Sequence, residues 1–283
     1  MQTLQRAIQG QVQRLVGPTE TQARPAPPPS GPSFLAPHAV SREVHGDFTT
    51  MLVGGISGLL LQMLHPGALA GVWDHSNFRA DMSGRLRRTA QFISVTTYGM
   101  QSEAEQMIGR IRLIHDHVHG RLPDGRTYSA NDPDLLTWVH VAGASSFLAA
   151  YLRYRNPGMS GAAQDLYYVE SARTAERLGA GHIPQSRREV ARYLEQVRPH
   201  LLFDHRTDDV ARAILGQPAP SLALVPYREL VTRASIDLLP SWAARMHRLS
   251  VPEHQRPAVR AGLRSVAAIT RWALDSGREP PRS

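Results

Sequence analysis

The stretch RLRRTAQFISVTTYGMQSEAEQMIGRIRLIHDHVHG, Arg85 to Gly120, decides the fold. It reads as two helical segments meeting near Gly99, with no strand-like alternation. In the first segment Arg85, Arg88 and Thr89 stand at i, i+3 and i+4 and share a face, while Arg87 points away. The second opens on a capping box, Ser102 with Glu105. Its predicted apolar stripe is Met107, Ile111, Ile114 and Val118, and Gly120 is expected to end it in the left-handed conformation. At about 100° per residue, His115 falls on the shoulder of that stripe with Ile108 and Ala104. His117 falls on the opposite shoulder, and His119 turns towards solvent. Two such helices can frame a pocket.

Outward from this stretch the pattern stays helical from about residue 40 to 276. Residues 48–64 form an apolar, glycine-rich helix, and another follows Pro66, which suits a first helical turn. Trp73 to Phe78 reads as a polar-aromatic turn before a helix over 84–98. Pro123–Asp124–Gly125 is a turn. Asp132 caps a helix that starts at Pro133 and runs to about Arg155. Further helices are predicted near 160–178, 187–198 (capping box Ser186 and Glu189), 207–215, 226–236, 240–248 and 256–275. The expected fold is all-α: residues 40–276 form one helical domain of about ten helices. Before it, residues 1–16 carry Leu4, Ile8, Val12 and Leu15 at helical spacing, and residues 17–37 are a proline-rich linker. The tail 277–283 reads as flexible.

The 283 residues are 42% hydrophobic and 20% charged, which suits a globular protein with a sizeable core. All 32 basic residues are arginine and the net charge is +8. They are spread along the chain, which reads as residue usage rather than a nucleic-acid-binding patch. With no cysteine, disulfides, zinc fingers, iron–sulfur clusters and thiolate-ligated haem are excluded. Any metal must be held by histidine or oxygen groups. The apolar run Met51–Leu64 is too short and too broken by glycine to span a bilayer. No secretory signal is visible. The expectation is a cytoplasmic protein without stable membrane insertion, with residues 1–16 able to lie on a membrane surface or dock on their own domain.

Several groups can carry chemistry. His115 and His119 stand at i, i+4, a spacing that allows a zinc or non-haem iron clip, and histidines also accumulate at helix ends because they suit the dipole. A single buried His115 can instead be an axial haem ligand. Arg85 and Arg88 with Thr89 can bind a carboxylate or a bound oxygen species, or form a solvated basic face. His140, in Trp138–Val139–His140, is either a core residue, a pocket residue or a support for His115. No dinucleotide fingerprint, P-loop or nucleophile elbow is present.

The run LHPGALAGVWDHSNFRADMSGRLRRTAQFISVTTYG, the IHDHVHG helix and DGRTYSANDPDLLTWVH together resemble the oxygenase family that includes latex-clearing protein and the MpaB-type oxygenases. The resemblance spans roughly residues 45–250 and is strongest over 64–155. Its pattern is R-x-x-[RK]-T, then H-x-x-V-x-G, then Y-S-A-x-D-P-x-L-L-x-W-V-H. The resemblance implies a globin-like domain binding haem b, which uses O2 to cleave carbon–carbon double bonds of isoprenoid substrates. It makes His115 the proximal iron ligand and puts Arg85 and Thr89 beside the haem on the distal side. Arg88 stands where latex-clearing protein has a lysine that ligates iron. A guanidinium is a poor metal ligand, so the sixth position should be open to water, O2 or another side chain. The expected partners are O2 and a small apolar molecule, such as a terpenoid or polyketide, with no nucleic acid.

Overall fold

The computed structural model describes residues 31–219 and 221–275. The expected helix over 1–16, the linker up to residue 30 and the tail 277–283 lie outside them. The described residues form an all-α domain of twelve helices. They are α1 (Val40–His45), α2 (Phe48–Gln62), α3 (Pro66–His75), α4 (Phe78–Tyr98), α5 (Gln101–Asp116), α6 (Pro133–Tyr154), α7 (Gly161–Leu178), α8 (Arg187–Val197), α9 (His205–Leu215), α10 (Val225–Leu238), α11 (Ser241–Met246) and α12 (Arg256–Asp275). A two-stranded antiparallel hairpin, β1 (His119–Arg121) and β2 (Thr127–Ser129), joins α5 to α6.

The centre of the domain is the pair α2 and α6. Asp47 caps α2 by accepting the Thr50 N–H. Asp132 caps α6 through the N–H groups of Asp134 and Leu135, with Pro133 in the first turn as expected. The two helices meet at backbone distance. A Cβ on Gly54 would lie 2.9 Å from Phe147 Cα and from the Ser146 carbonyl, and one on Gly58 would lie 3.3 Å from Gly143 Cα. Two reciprocal bonds lock the far end: Trp138 Nε1 donates to the Gln62 carbonyl at 3.1 Å and Gln62 Nε2 to the Val139 carbonyl at 2.9 Å. By length and apolarity α6 could cross a membrane, but 61% of its apolar window is buried inside the domain. It is the core helix that the other layers cover.

Leu60, Leu61, Leu64, Phe78, Trp138 and Val210 pack on one side of this pair. Val53, Ala150, Val231 and Leu263 pack on the other. Each buried aliphatic side chain of this size contributes about 1.5–3 kcal/mol. Ion pairs fasten the outer helices. Asp237, almost fully buried, accepts from Arg260 at 2.8 Å and from Arg153 at 3.2 Å. Arg271 of α12 reaches Asp47 at 2.7 Å. The first turn of α1 is capped from α7, where Glu170 accepts the N–H groups of Val40 and Ser41.

Three local expectations change. The core begins before Val40: Phe34, Leu35 and Ala39 are buried against Ala104 and Ile108 of α5. Prolines rule out a helix in that segment but leave its aromatic and aliphatic side chains free to pack. Trp73, Asp74 and His75 are the last turn of α3, not a turn between helices. α5 starts two residues early, and its capping carboxylate is Glu103, which accepts the Met100 N–H at 2.9 Å, rather than Glu105.

The backbone contact of α2 with α6 predicts that Gly54→Ala lowers stability by about 1–3 kcal/mol through overpacking. Gly55→Ala places its Cβ at an ordinary 3.6 Å from Phe147 Cε1 and is expected to be neutral or to gain up to about 1 kcal/mol from helix propensity. Urea unfolding of the two variants checks this, and equal midpoints would refute it.

α3 gives a second expectation. His65 caps it by accepting the Gly67 N–H at Nδ1, 3.2 Å away, which requires a neutral ring. Burial, opposed by Asp132 and assisted by Arg126 and His200, takes the His65 pKa from 6.5 down to about 4. The unfolded chain therefore binds the proton more readily, so this stabilisation is complete above pH 6.5 and is lost as pH falls towards about 4. The melting temperature should be level above about pH 7 and fall below it. His65→Ser, which caps without titrating, should fall less steeply over the same window. Parallel curves for the two proteins would contradict the assignment.

Candidate active site

The buried row of α5 runs through Ala104, Ile108, Ile111 and His115, at i, i+4, i+7 and i+11. Ala104 and Ile108 are buried, and Ile111 and His115 are half-buried. The stripe expected from the sequence is only partly covered: Met107, Ile111 and Val118 are half-buried, but Ile114 is 51% exposed, and the deepest positions are Ala104 and Ile108 on its shoulder. His115 therefore lies on the inward row with them. Its Nδ1 is buried. Among the described residues no hydrogen bond to Nε2 is found.

α5 ends at Asp116 with His117 at the cap, and Val118 N–H closes back on the His115 carbonyl at 2.9 Å. His119 is already on β1, exposed, with its carbonyl accepting from His75 Nε2 at 3.2 Å. The i, i+4 clip of His115 with His119 needs both residues on one helix, so it does not form. Among the described residues no group of three or more metal-ligating side chains occurs. Gly120 is not a left-handed cap. It pairs with Tyr128 across the hairpin, where a Cβ would lie 3.1 Å from the tyrosine ring.

The hairpin returns the chain to the end of α5. Ala130 N–H donates to the Val118 carbonyl at 2.8 Å, and the next residue, Asn131, lies against His115. Its Nδ2 donates to Asp116 Oδ1 at 2.7 Å and to the Arg112 carbonyl at 3.3 Å. The His115 pKa is lowered by burial first, with Asn131 acting to raise it, Arg85 to lower it and Asp116 to raise it.

Arg85 comes to this place from α4. That helix is kinked at Asp81, whose φ of −137° and ψ of 56° leave the helical region. The Asp81 carboxylate accepts the Gly84 N–H at 2.8 Å, so it caps the segment that continues to Tyr98. One turn on, Arg85 is half-buried, and burial followed by the neighbouring Arg88 charge pulls its pKa down. Among the described residues Arg85 has no carboxylate partner. The other two members of the arginine face are placed differently. Arg88 is exposed and pairs with Asp81 at 3.3 Å. Thr89 is exposed and its hydroxyl donates to the Arg85 carbonyl at 3.1 Å.

His140 lies near His45. It is half-buried, and burial lowers its pKa to about 4. His45 is similar: burial, then His140, lowers its pKa to about 4. Its ring bonds Thr97 Oγ1 at 2.9 Å and Tyr167 OH at 3.1 Å and stands edge-on to Phe147. Val139, His140, Gly143 and Phe147 are a strip along α6 that the other helices leave partly open. The sequence reading missed Asn131, Asp116 and His45. Only the turn signal at Pro123–Gly125, which returns the chain to α5, pointed towards Asn131.

α4 and α5 thus bring a neutral imidazole beside a half-buried guanidinium that has no carboxylate partner among the described residues; α6 presents a partly open strip of its own. No curated protein and no solved structure matches the chain. The family described as "ER-bound oxygenase mpaB/B'/Rubber oxygenase, catalytic domain" matches residues 42–272. That span contains His115, Arg85, Asn131 and the whole of the α2–α6 pair. The chain belongs to this oxygenase family.

Proposed function

We propose that the protein is a haem b-dependent oxygenase that uses O2 on a small apolar substrate, His115 being the axial ligand. The observation that carries this reading is the pairing of the His115 imidazole, held neutral by burial, with Arg85, a half-buried cation that lacks a carboxylate among the described residues. A bare metal ion would need several protein ligands and would be repelled by the guanidinium. A porphyrin would bring four nitrogen ligands of its own and two carboxylates that an arginine can bind. When bound, the haem would supply the iron chemistry that activates O2.

The chain's own residues would do the rest. His115 offers Nε2 from the inward row of α5. Arg85 holds a permanent positive charge where an anionic group of the cofactor, or charge developing on oxygen, would be stabilised. Arg88, drawn off by Asp81, and Thr89 would form the outer part of that wall. Val139, Gly143 and Phe147 would give the apolar surface against which a terpenoid- or polyketide-like substrate lies, with His140 and His45 neutral beside it. The reaction would be oxidative cleavage of an alkene or its oxygenation.

The spectrum of the protein produced with haem supply tests this. A Soret band is expected in the wild type and in His119→Ala, and its loss in His115→Ala. Arg85→Leu should weaken haem retention by about tenfold or more, since a charge-assisted pair is lost. Stoichiometric zinc without a Soret band would refute the reading. Oxygen uptake with apolar alkenes then separates an oxygenase from a non-catalytic haem carrier.

A further inference from the structure

Between α5 and the hairpin lies a three-residue relay that the oxygenase reading does not require. We infer that Asn131, held by Asp116, fixes the His115 imidazole in the Nδ1–H tautomer and so leaves the Nε2 lone pair free to ligate. Asn131 is a positioning residue in this scheme, and the inference rests on the assignment of His115 as ligand.

The orientation of the Asn131 amide follows from chemistry. Its Nδ2 faces two acceptors, the Asp116 carboxylate at 2.7 Å and the Arg112 carbonyl at 3.3 Å. Turning the amide over would set Oδ1 against two oxygens, with no proton between them. Oδ1 is therefore directed the other way. It is buried, and so is His115 Nδ1, and neither has a hydrogen-bond partner in this structure. Asn131 nonetheless lies close enough to the ring to act on it as an acceptor. The terminal torsions of both side chains are broad, so a small rotation closes the bond. An amide oxygen can only accept, so the proton of a neutral ring resides on Nδ1 and Nε2 is bare. A metal-ligating histidine is commonly oriented this way, by a partner on its other nitrogen.

The hairpin explains how an asparagine fifteen residues after Asp116 reaches this point. β1 and β2 pair from His119–Ser129 to Arg121–Thr127, and Ala130 is tied to Val118. Asn131 N–H donates to Ser129 Oγ at 3.3 Å, and Asp132 then caps α6. The residue on the ring is thus gripped on both sides by the backbone.

The test uses the full chain with labelled histidine, purified without haem, and reads long-range nitrogen–proton correlations of the imidazole rings, with His115 assigned by its loss in His115→Ala. The wild type is expected to show a protonated Nδ1 and a bare Nε2 at His115. In Asn131→Leu the ring should move to a mixture of tautomers or to Nε2–H. The same preparations are titrated with haemin, and Asn131→Leu should bind about 10–100-fold more weakly. Asn131→Asp should give a more negative iron reduction potential, because an anionic acceptor makes the ring more basic. Asp116 is exposed, so Asp116→Ala is the second variant should Asn131→Leu not fold, and it should move the tautomer in the same direction. A wild-type ring with the proton on Nε2, or tautomers unchanged in these variants, overturns the inference. The expected tautomer in a protein that binds no haemin upholds the positioning pair and refutes the haem assignment instead.

Discussion

Everything else in this domain hangs on two helices packed without side chains between them. Gly54 and Gly58 strip one face of α2, so that Gly143, Ser146 and Phe147 of α6 approach at backbone distance. Dispersion falls steeply with separation, so a contact this close is both strongly held and intolerant of an added methyl. It also fixes where α6 begins. The Asp132 cap sits at the end of the hairpin from α5, so the position of α6 sets the position of Asn131, and through it the rotation of His115. A packing constraint in the centre becomes an orientation constraint at the candidate ligand.

Charge is distributed with the same economy. The chain uses arginine alone as its cation, and a guanidinium cannot shed its charge when buried. Most inward arginines are answered by a carboxylate: Arg153 and Arg260 by Asp237, Arg271 by Asp47, Arg206 by Asp204. Arg88 is turned outward by Asp81. Arg85 is half-buried and has no such partner among the described residues. Under the proposed function, an anionic group brought from outside the chain would answer it.

What could be read from the residues followed the range of the interactions involved. Asp132–Pro133 and Ser186 marked helix starts correctly because capping is settled within three residues. The buried row of α5 was only partly legible because that helix is apolar on more than one side. Leu113 and Ile114 are as hydrophobic as Ile108, and only the distant Phe34 and Leu35 decide which row is covered. Strands of three residues are too short to show a period, so only the Asp124–Gly125 turn announced the hairpin. That Arg85 and His115 would face each other was legible from the two adjacent helical segments. Asn131 was not, since it stands at the open position of the Y-S-A-x-D-P pattern and acquires its role only when the hairpin folds. Gly120 looked like a helix cap and is instead the space for Tyr128.

Three influences converge on one ring, and their signs explain why it suits a ligand. Burial disfavours the imidazolium, and the Arg85 charge opposes it again. Asn131 and Asp116 pull the other way, towards a ring that keeps a proton. Burial is the largest, so the ring is neutral. What Asn131 then settles is not whether the ring has a proton but on which nitrogen it sits. Burial and the arginine alone would give a neutral imidazole free to present either nitrogen. An acceptor alone, in the open, would favour the charged ring, which has no lone pair to give. A neutral ring with its proton turned back into the protein needs both, and α4, α5 and the hairpin each supply one part of it.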